Sequence, residues 1–226
     1  MLMNWTSKVA GMTRRAPEVS AAVDGGLIAQ THGLLAGTRV ASNLGWRAVD
    51  KIAVGDEVLT FDNAMQRVAE VHRSVIWPQA RATPAQLWPV VVPQGAMGNR
   101  CEITLLPDQG VMVDCDAAQD MQGDPFAVVP AQALEGLHGI HRQPVETPVE
   151  LITLFFESEE VIYAEGGLLV HCPRTFVSLD DMLAPATPVY DVLTGRDAAF
   201  LVDCLDMEAQ IVASGGYQAA QANAAC

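Results

Sequence analysis

Few side chains in this 226-residue chain are spaced for chemistry. Asp114, Asp116, Asp120 and Asp124, within DCDAAQDMQGD, present the carboxylate oxygens that calcium prefers. A calcium loop needs its third ligand and its glycine where this segment has Ala118 and Gln119, so a solvated acidic turn is the favoured reading. His138 and His141 lie three apart but straddle Gly139, and His32 and His72 add no metal-binding spacing. His171 and Cys172 are adjacent, which would set a base beside a thiol, but neighbouring strand residues point to opposite faces. A buried, unreactive thiol is therefore the reading for Cys172, and likewise for Cys115. No metal or other cofactor is expected.

The elements that must position these groups are short and rich in β signals. Residues 38–41 read as a strand released by Asn43, Leu44 and Gly45; residues 57–61 alternate after the Gly55-Asp56 turn, and residues 66–75 read as one further strand that continues to Trp77-Pro78. The run LWPVVV sits between prolines, which predicts an edge strand or a strand with proline at its first residue. Residues 103–113 are strand, turn at Pro107-Asp108, and strand. Residues 126–129 form a strand, followed by a short helix over 131–134 that Gly136 caps and a strand near Ile140. Residues 148–156, 161–163 and 168–172 complete the strand set, with the turn at Gly166-Gly167. Past Pro185 and Pro188, Ala198, Leu201, Val202, Leu205 and Ile211 recur near helical spacing, so residues 197–213 read as an amphipathic helix docked on the domain. Residues 1–31 show little periodicity and read as an arm, and residues 217–226 as a loose tail. Trp46 and Trp77 are expected in the core or at its rim.

Composition narrows the function classes. With 27 Asp+Glu against 13 Lys+Arg the formal charge is -14, which disfavours nucleic acid and other polyanionic partners. Half of the residues are hydrophobic, which argues for a folded body over a disordered one, and the length suits one domain with tails. The five cysteines have no C-x-x-C spacing and are read as reduced thiols. Pro17, Glu18 and Asp24 interrupt the stretch after Arg14 and Arg15 that a signal peptide would need to be apolar, so a cytoplasmic location is expected. Pro84, Pro89 and Pro93 break the apolar region around Trp88, and no membrane span is expected.

A family resemblance rests on three blocks. The order Gly-Thr-Arg-Val, Gly-Trp, Val-Asp-Lys-Ile, Val-Gly-Asp and Val-Leu-Thr within residues 33–62 resembles the opening of Hint (Hedgehog/intein) domains, above all the bacterial stand-alone group. The segments ITLLPDQGVMV and VVPAQALEGLHGIHR resemble its middle, and VIYAEGGLLVHC its last block. The resemblance implies a mostly β fold, the horseshoe-like Hint fold, here with a C-terminal amphipathic helix. It divides the chain into a leader arm (1–32), a Hint-like domain (33–172) and a linker, amphipathic helix and tail (173–226).

The same resemblance implies that the self-processing residues are replaced. The family's cysteine nucleophile falls at Gly33, and the histidine that ends the second block at Gln109. A further family histidine falls at Glu159 or Glu160; His171 matches the penultimate histidine of inteins, and Cys172 stands where they carry asparagine. Self-processing needs a nucleophile at the first position and a proton donor for the departing backbone nitrogen. A glycine cannot attack and a carboxamide does not cycle a proton near neutral pH. Thr31 is the hydroxyl that a register slip would bring to the scissile bond, but register is tied to which face is buried. The expectation is a catalytically silent Hint-like module that binds or scaffolds an unknown protein partner, with its C-terminal helix a candidate surface for self-association. The alternative is a self-cleaving Hint peptidase with a non-standard nucleophile.

Overall fold

The computed structural model describes residues 32–174 and 189–213. The expected arm at residues 1–31, the linker prolines Pro185 and Pro188, and the tail at residues 217–226 lie outside these.

Short strands dominate. In chain order they are β1 (Leu34–Leu35), β2 (Arg39–Ser42), β3 (Gly45–Ala48), β4 (Glu57–Leu59), β5 (Met65–Arg67), β6 (Glu70–Ile76) and β7 (Val90–Val92). Then follow β8 (Ile103–Leu105), β9 (Gly110–Asp114), β10 (Phe126–Pro130), β11 (His141–Arg142), β12 (Val149–Phe155), β13 (Glu160–Ala164) and β14 (Leu168–Cys172). A short helix, α1 (Asp116–Gln122), lies between β9 and β10, and a long one, α2 (Gly195–Ala213), follows the strands. One antiparallel sheet runs β11-β7-β8-β1-β12-β6; the other runs β10-β9-β14-β13-β2-β4-β5, with β3 paired to β2. Neither helix is long and apolar enough to cross a membrane.

Alternation explains why such short strands hold. Val40, Val58, Val90, Leu105, Val111, Ile152, Ile162 and Val170 point into one apolar core and are essentially inaccessible. The expected strand over residues 66–75 is in fact two. Val68 is buried between β5 and β6, its N–H donating to Asp56 and its carbonyl accepting from Gly55, so the chain leaves one sheet there and enters the other. The strand after Glu57 is also shorter than its alternation suggests, because Thr60 leaves β5 to bridge Ile162 on β13.

Of the two readings that its flanking prolines allowed, β7 is not the edge strand; Pro89 stands directly ahead of its first residue, Val90. Pro89 and Pro93 fall just outside the three paired residues, so no ladder N–H is lost, and β11 covers the outer side. The acidic segment is not a solvated turn: Asp116 and Asp120 lie on α1, which Gly123 ends in the left-handed conformation, and Asp124 accepts the Phe126 N–H. Of the core or rim expected for it, Trp46 takes the outer place, 44% exposed on β3, which among the described residues pairs with β2 alone.

Helix α2 docks as expected through Ala198 and Leu201, 1% and 0% exposed, with Val202 and Leu205 partly buried beside them. It packs on the helical turn Ala131–Leu134. Ile211 does not belong to that stripe and is 48% exposed: ten residues past Leu201 it is rotated about 80° off the docking line. Replacing Leu201 by alanine should lower stability by about 2–5 kcal/mol, read as a shift in urea midpoint at unchanged slope. Ile211→Ala should shift it by less than about 0.5 kcal/mol.

Candidate functional site

The last residues before β1 enter the core beside the ends of three strands. Gly33 donates its N–H to Gln109 Oε1 at 2.8 Å. Gln109, 1% exposed in the turn ahead of β9, donates through Nε2 to the carbonyls of His171 at 2.8 Å and Gly110 at 3.1 Å. These partners fix the carboxamide orientation, since reversal would set its amide against an N–H and its oxygen against two carbonyls. On the other side of the His32–Gly33 peptide, the Thr153 hydroxyl of β12 donates to the His32 carbonyl at 2.8 Å. The peptide group is thus held at its oxygen by a donor and at its nitrogen by an acceptor.

Position 33 has no room for a side chain. Its φ of +146° suits glycine, and a Cβ built there would lie 2.8 Å from Thr153 Oγ1 and 2.9 Å from Leu151 Cδ1. Gly110 is constrained in a similar way, because a Cβ would come within 2.9 Å of both His171 Cβ and Val128. A small cavity touches Gly33, Gln109, Thr153, His171 and Cys172.

His171 of β14 is 6% exposed, and neither of its ring nitrogens hydrogen-bonds a described residue. Its ring stands edge-on to His32 at 6.0 Å and to Tyr190 at 5.8 Å between centroids. Glu159 Oε2 is 3.9 Å from His171 Nε2, beyond hydrogen-bonding distance. Burial, helped by His32 and opposed by Glu159, brings the imidazole down to about 4, so it is neutral at pH 7. Burial also lowers the His32 value.

Glu159 instead accepts the backbone N–H groups of Val189 at 2.9 Å and Tyr190 at 3.3 Å. Tyr190 donates its hydroxyl to Asp62, and burial with that carboxylate raises its own proton affinity. The segment therefore crosses back over His171 and is pinned at both its backbone and its ring. Glu160, 1% exposed, faces elsewhere and accepts from Asn63 and Ser158.

Of the residues singled out in the sequence, Gly33, Gln109, His171 and Glu159 come together. Cys172 points to the opposite side, into the main core, where burial pushes its thiol up to about 12. Cys115 is likewise buried with a raised value and donates to Glu208 of α2 at 3.4 Å. Thr31 lies outside the described residues. His138 and His141 turn to separate backbone carbonyls, of Ala96 and Gly139, and among the described residues no three metal-binding side chains converge. Thr153 and Tyr190 were not singled out in the sequence. A hydroxyl at an inward position of an alternating apolar strand was a usable signal for Thr153; nothing local marks Tyr190, which acts through contacts far from it in sequence.

A family model described as the Hint domain matches residues 32–169, more than half of the chain, and the chain belongs to that family. Among solved structures it is similar to a splice-inactive variant of the AceL NrdHF class 3 split intein, at 15% identity and a TM-score of 0.42, covering 64% of this chain and 99% of that one. It is also similar to a bacterial intein-like domain from Clostridium thermocellum, at 14% identity and a TM-score of 0.41, covering 63% and 99%. A search of curated proteins returns no match.

Two predictions follow from this packing. Gly33→Ala should cost about 1–3 kcal/mol in stability, and combining it with Leu151→Ala should cost clearly less than the sum of the two single changes, as a double-mutant cycle in urea would read. For His171, a folded-state value below the unfolded value of 6.5 means that unfolding takes up a proton as pH falls. Its contribution is full above pH 6.5 and shrinks through the window down to about 4, by on the order of 3 kcal/mol. The stability difference between the native chain and His171→Gln, measured by urea unfolding at pH 7 and pH 4, should narrow by about that amount.

Proposed function

We propose that this Hint domain is catalytically silent and serves as a binding or scaffold module that keeps the chain before residue 33 permanently joined to it. The observation that supports this reading is the Gln109 carboxamide, which presents an acceptor to the Gly33 nitrogen. An acyl shift needs the opposite there, a donor that protonates the leaving amine. Gly33 supplies no nucleophile, and its surroundings leave no space for one. Intact mass of the purified protein, after incubation alone, with a thiol and with hydroxylamine, should show full length in all three. A cut between His32 and Gly33 overturns the reading.

One observation favours the rival, a self-cleaving domain with an unusual nucleophile: the Thr153 hydroxyl lies 2.8 Å from the His32 carbonyl oxygen. In that reaction Thr153 Oγ would attack the His32 carbonyl carbon, and the Gly33 nitrogen would leave as an amine with the hydroxyl proton, giving an ester that hydroxylamine opens. The native hydrogen bond aims the hydroxyl proton at the carbonyl oxygen, and neither His171 nitrogen hydrogen-bonds a described residue. Silence is the better-supported reading. Cleavage by hydroxylamine that disappears in Thr153→Val would establish the rival.

The scaffold reading includes self-association through α2. Phe200, Met207 and Ile211 are 52%, 54% and 48% exposed at intervals of seven and four, a single apolar line along the outer face. Light scattering at two concentrations should show a larger species that Met207→Glu converts to monomer.

A further inference from the structure

We propose that the cleft between β10 and the segment 189–191 is a docking site for a short extended peptide that alternates basic and apolar side chains. This rests on the binding-module reading above and assigns that module its surface and the chemistry of its partner.

The cleft measures about 340 Å³, within the range of about 300–1,000 Å³ typical of ligand sites. Its floor is apolar: Phe61 and Phe126 meet edge to face at 4.8 Å, with Met112 and Val128 beside them. Its rim is acidic, carrying Asp62, Asp124 and Asp191, and among the described residues no lysine, arginine or histidine lines it. Asp62 accepts from Tyr190, and one oxygen of Asp124 accepts from the Phe126 N–H. Asp191 is exposed, and no hydrogen bond or ion pair holds it among the described residues.

The backbone supplies the second argument. Strand β10 is the outer member of its sheet, and the chain itself already lays an extended segment along it: Val192 bridges Val128 in parallel, and the Leu193 N–H donates to the Val128 carbonyl at 2.8 Å. That pairing fills the Val128 position of the edge, so an incoming extended peptide lies over the cleft floor alongside residues 189–191. In such a strand alternate side chains point to opposite sides, so apolar residues would reach the Phe61-Phe126 floor while the intervening residues meet the rim. Three carboxylates on a protein of formal charge -14 select lysine and arginine for that place.

The test is fluorescence anisotropy of the full-length protein with the labelled, amidated peptide Arg-Leu-Lys-Phe-Arg-Val, against the same peptide with glutamate at the basic positions. Intact mass is recorded on the same sample. The basic peptide should bind, lose affinity as salt is raised, and weaken at least tenfold in the double variant Asp124→Asn, Asp191→Asn. A second variant, Met112→Gln, should weaken it through the floor without changing the charge. Equal binding of both peptides, binding indifferent to these variants, or none for the basic peptide overturns the proposal, provided the mass is full length. A truncated mass instead overturns the silent-module reading. Preferential binding of a single-stranded oligonucleotide over the basic peptide would also overturn the proposal.

Discussion

One buried carboxamide ties together parts of the chain far apart in sequence. Gln109 accepts from the nitrogen of Gly33 ahead of β1 and donates to the carbonyl of His171 on β14. An unmade hydrogen bond at that depth would cost about 1–3 kcal/mol, so each partner holds the others in place. The close approach of Gly33 to Leu151 and Thr153 follows from this: the backbone is drawn in so far that only hydrogen fits at its Cα. The chemistry open to the site follows too, because the group facing the peptide nitrogen is an acceptor held in one orientation.

The surroundings of His171 carry the same logic outward. A neutral imidazole packed between His32 and Tyr190 has exchanged water for ring edges, and Glu159, the nearest carboxylate, is occupied by backbone N–H groups of the returning segment. The segment that follows Pro188 thus completes a wall over the site and borders the acidic cleft beside it.

Much of the strand pattern was legible in the residues. Period-two alternation and glycine-bearing turns located β2, β9, β10, β12, β13 and β14, since each buries one face and each turn needs particular backbone angles. The pattern could not distinguish one long strand from two at Val68, because the change of sheet there depends on the Gly55-Asp56 turn more than ten residues earlier. Nor could prolines beside Val90–Val92 reveal that β11 would cover that edge. Ile211 matched the helix period loosely, and the helix outran its support.

Amino-acid identity alone settled what position 33 and position 109 can contribute: a glycine has no side chain to attack with, and a glutamine has no proton to cycle near neutral pH. Which atoms of Gln109 face which partners, why nothing larger than hydrogen fits at Gly33, and the arrival of the Thr153 hydroxyl at the His32 carbonyl all arise from contacts between residues up to 121 apart in the chain. Such distances are set by how two sheets pack, and no local run of residues encodes them.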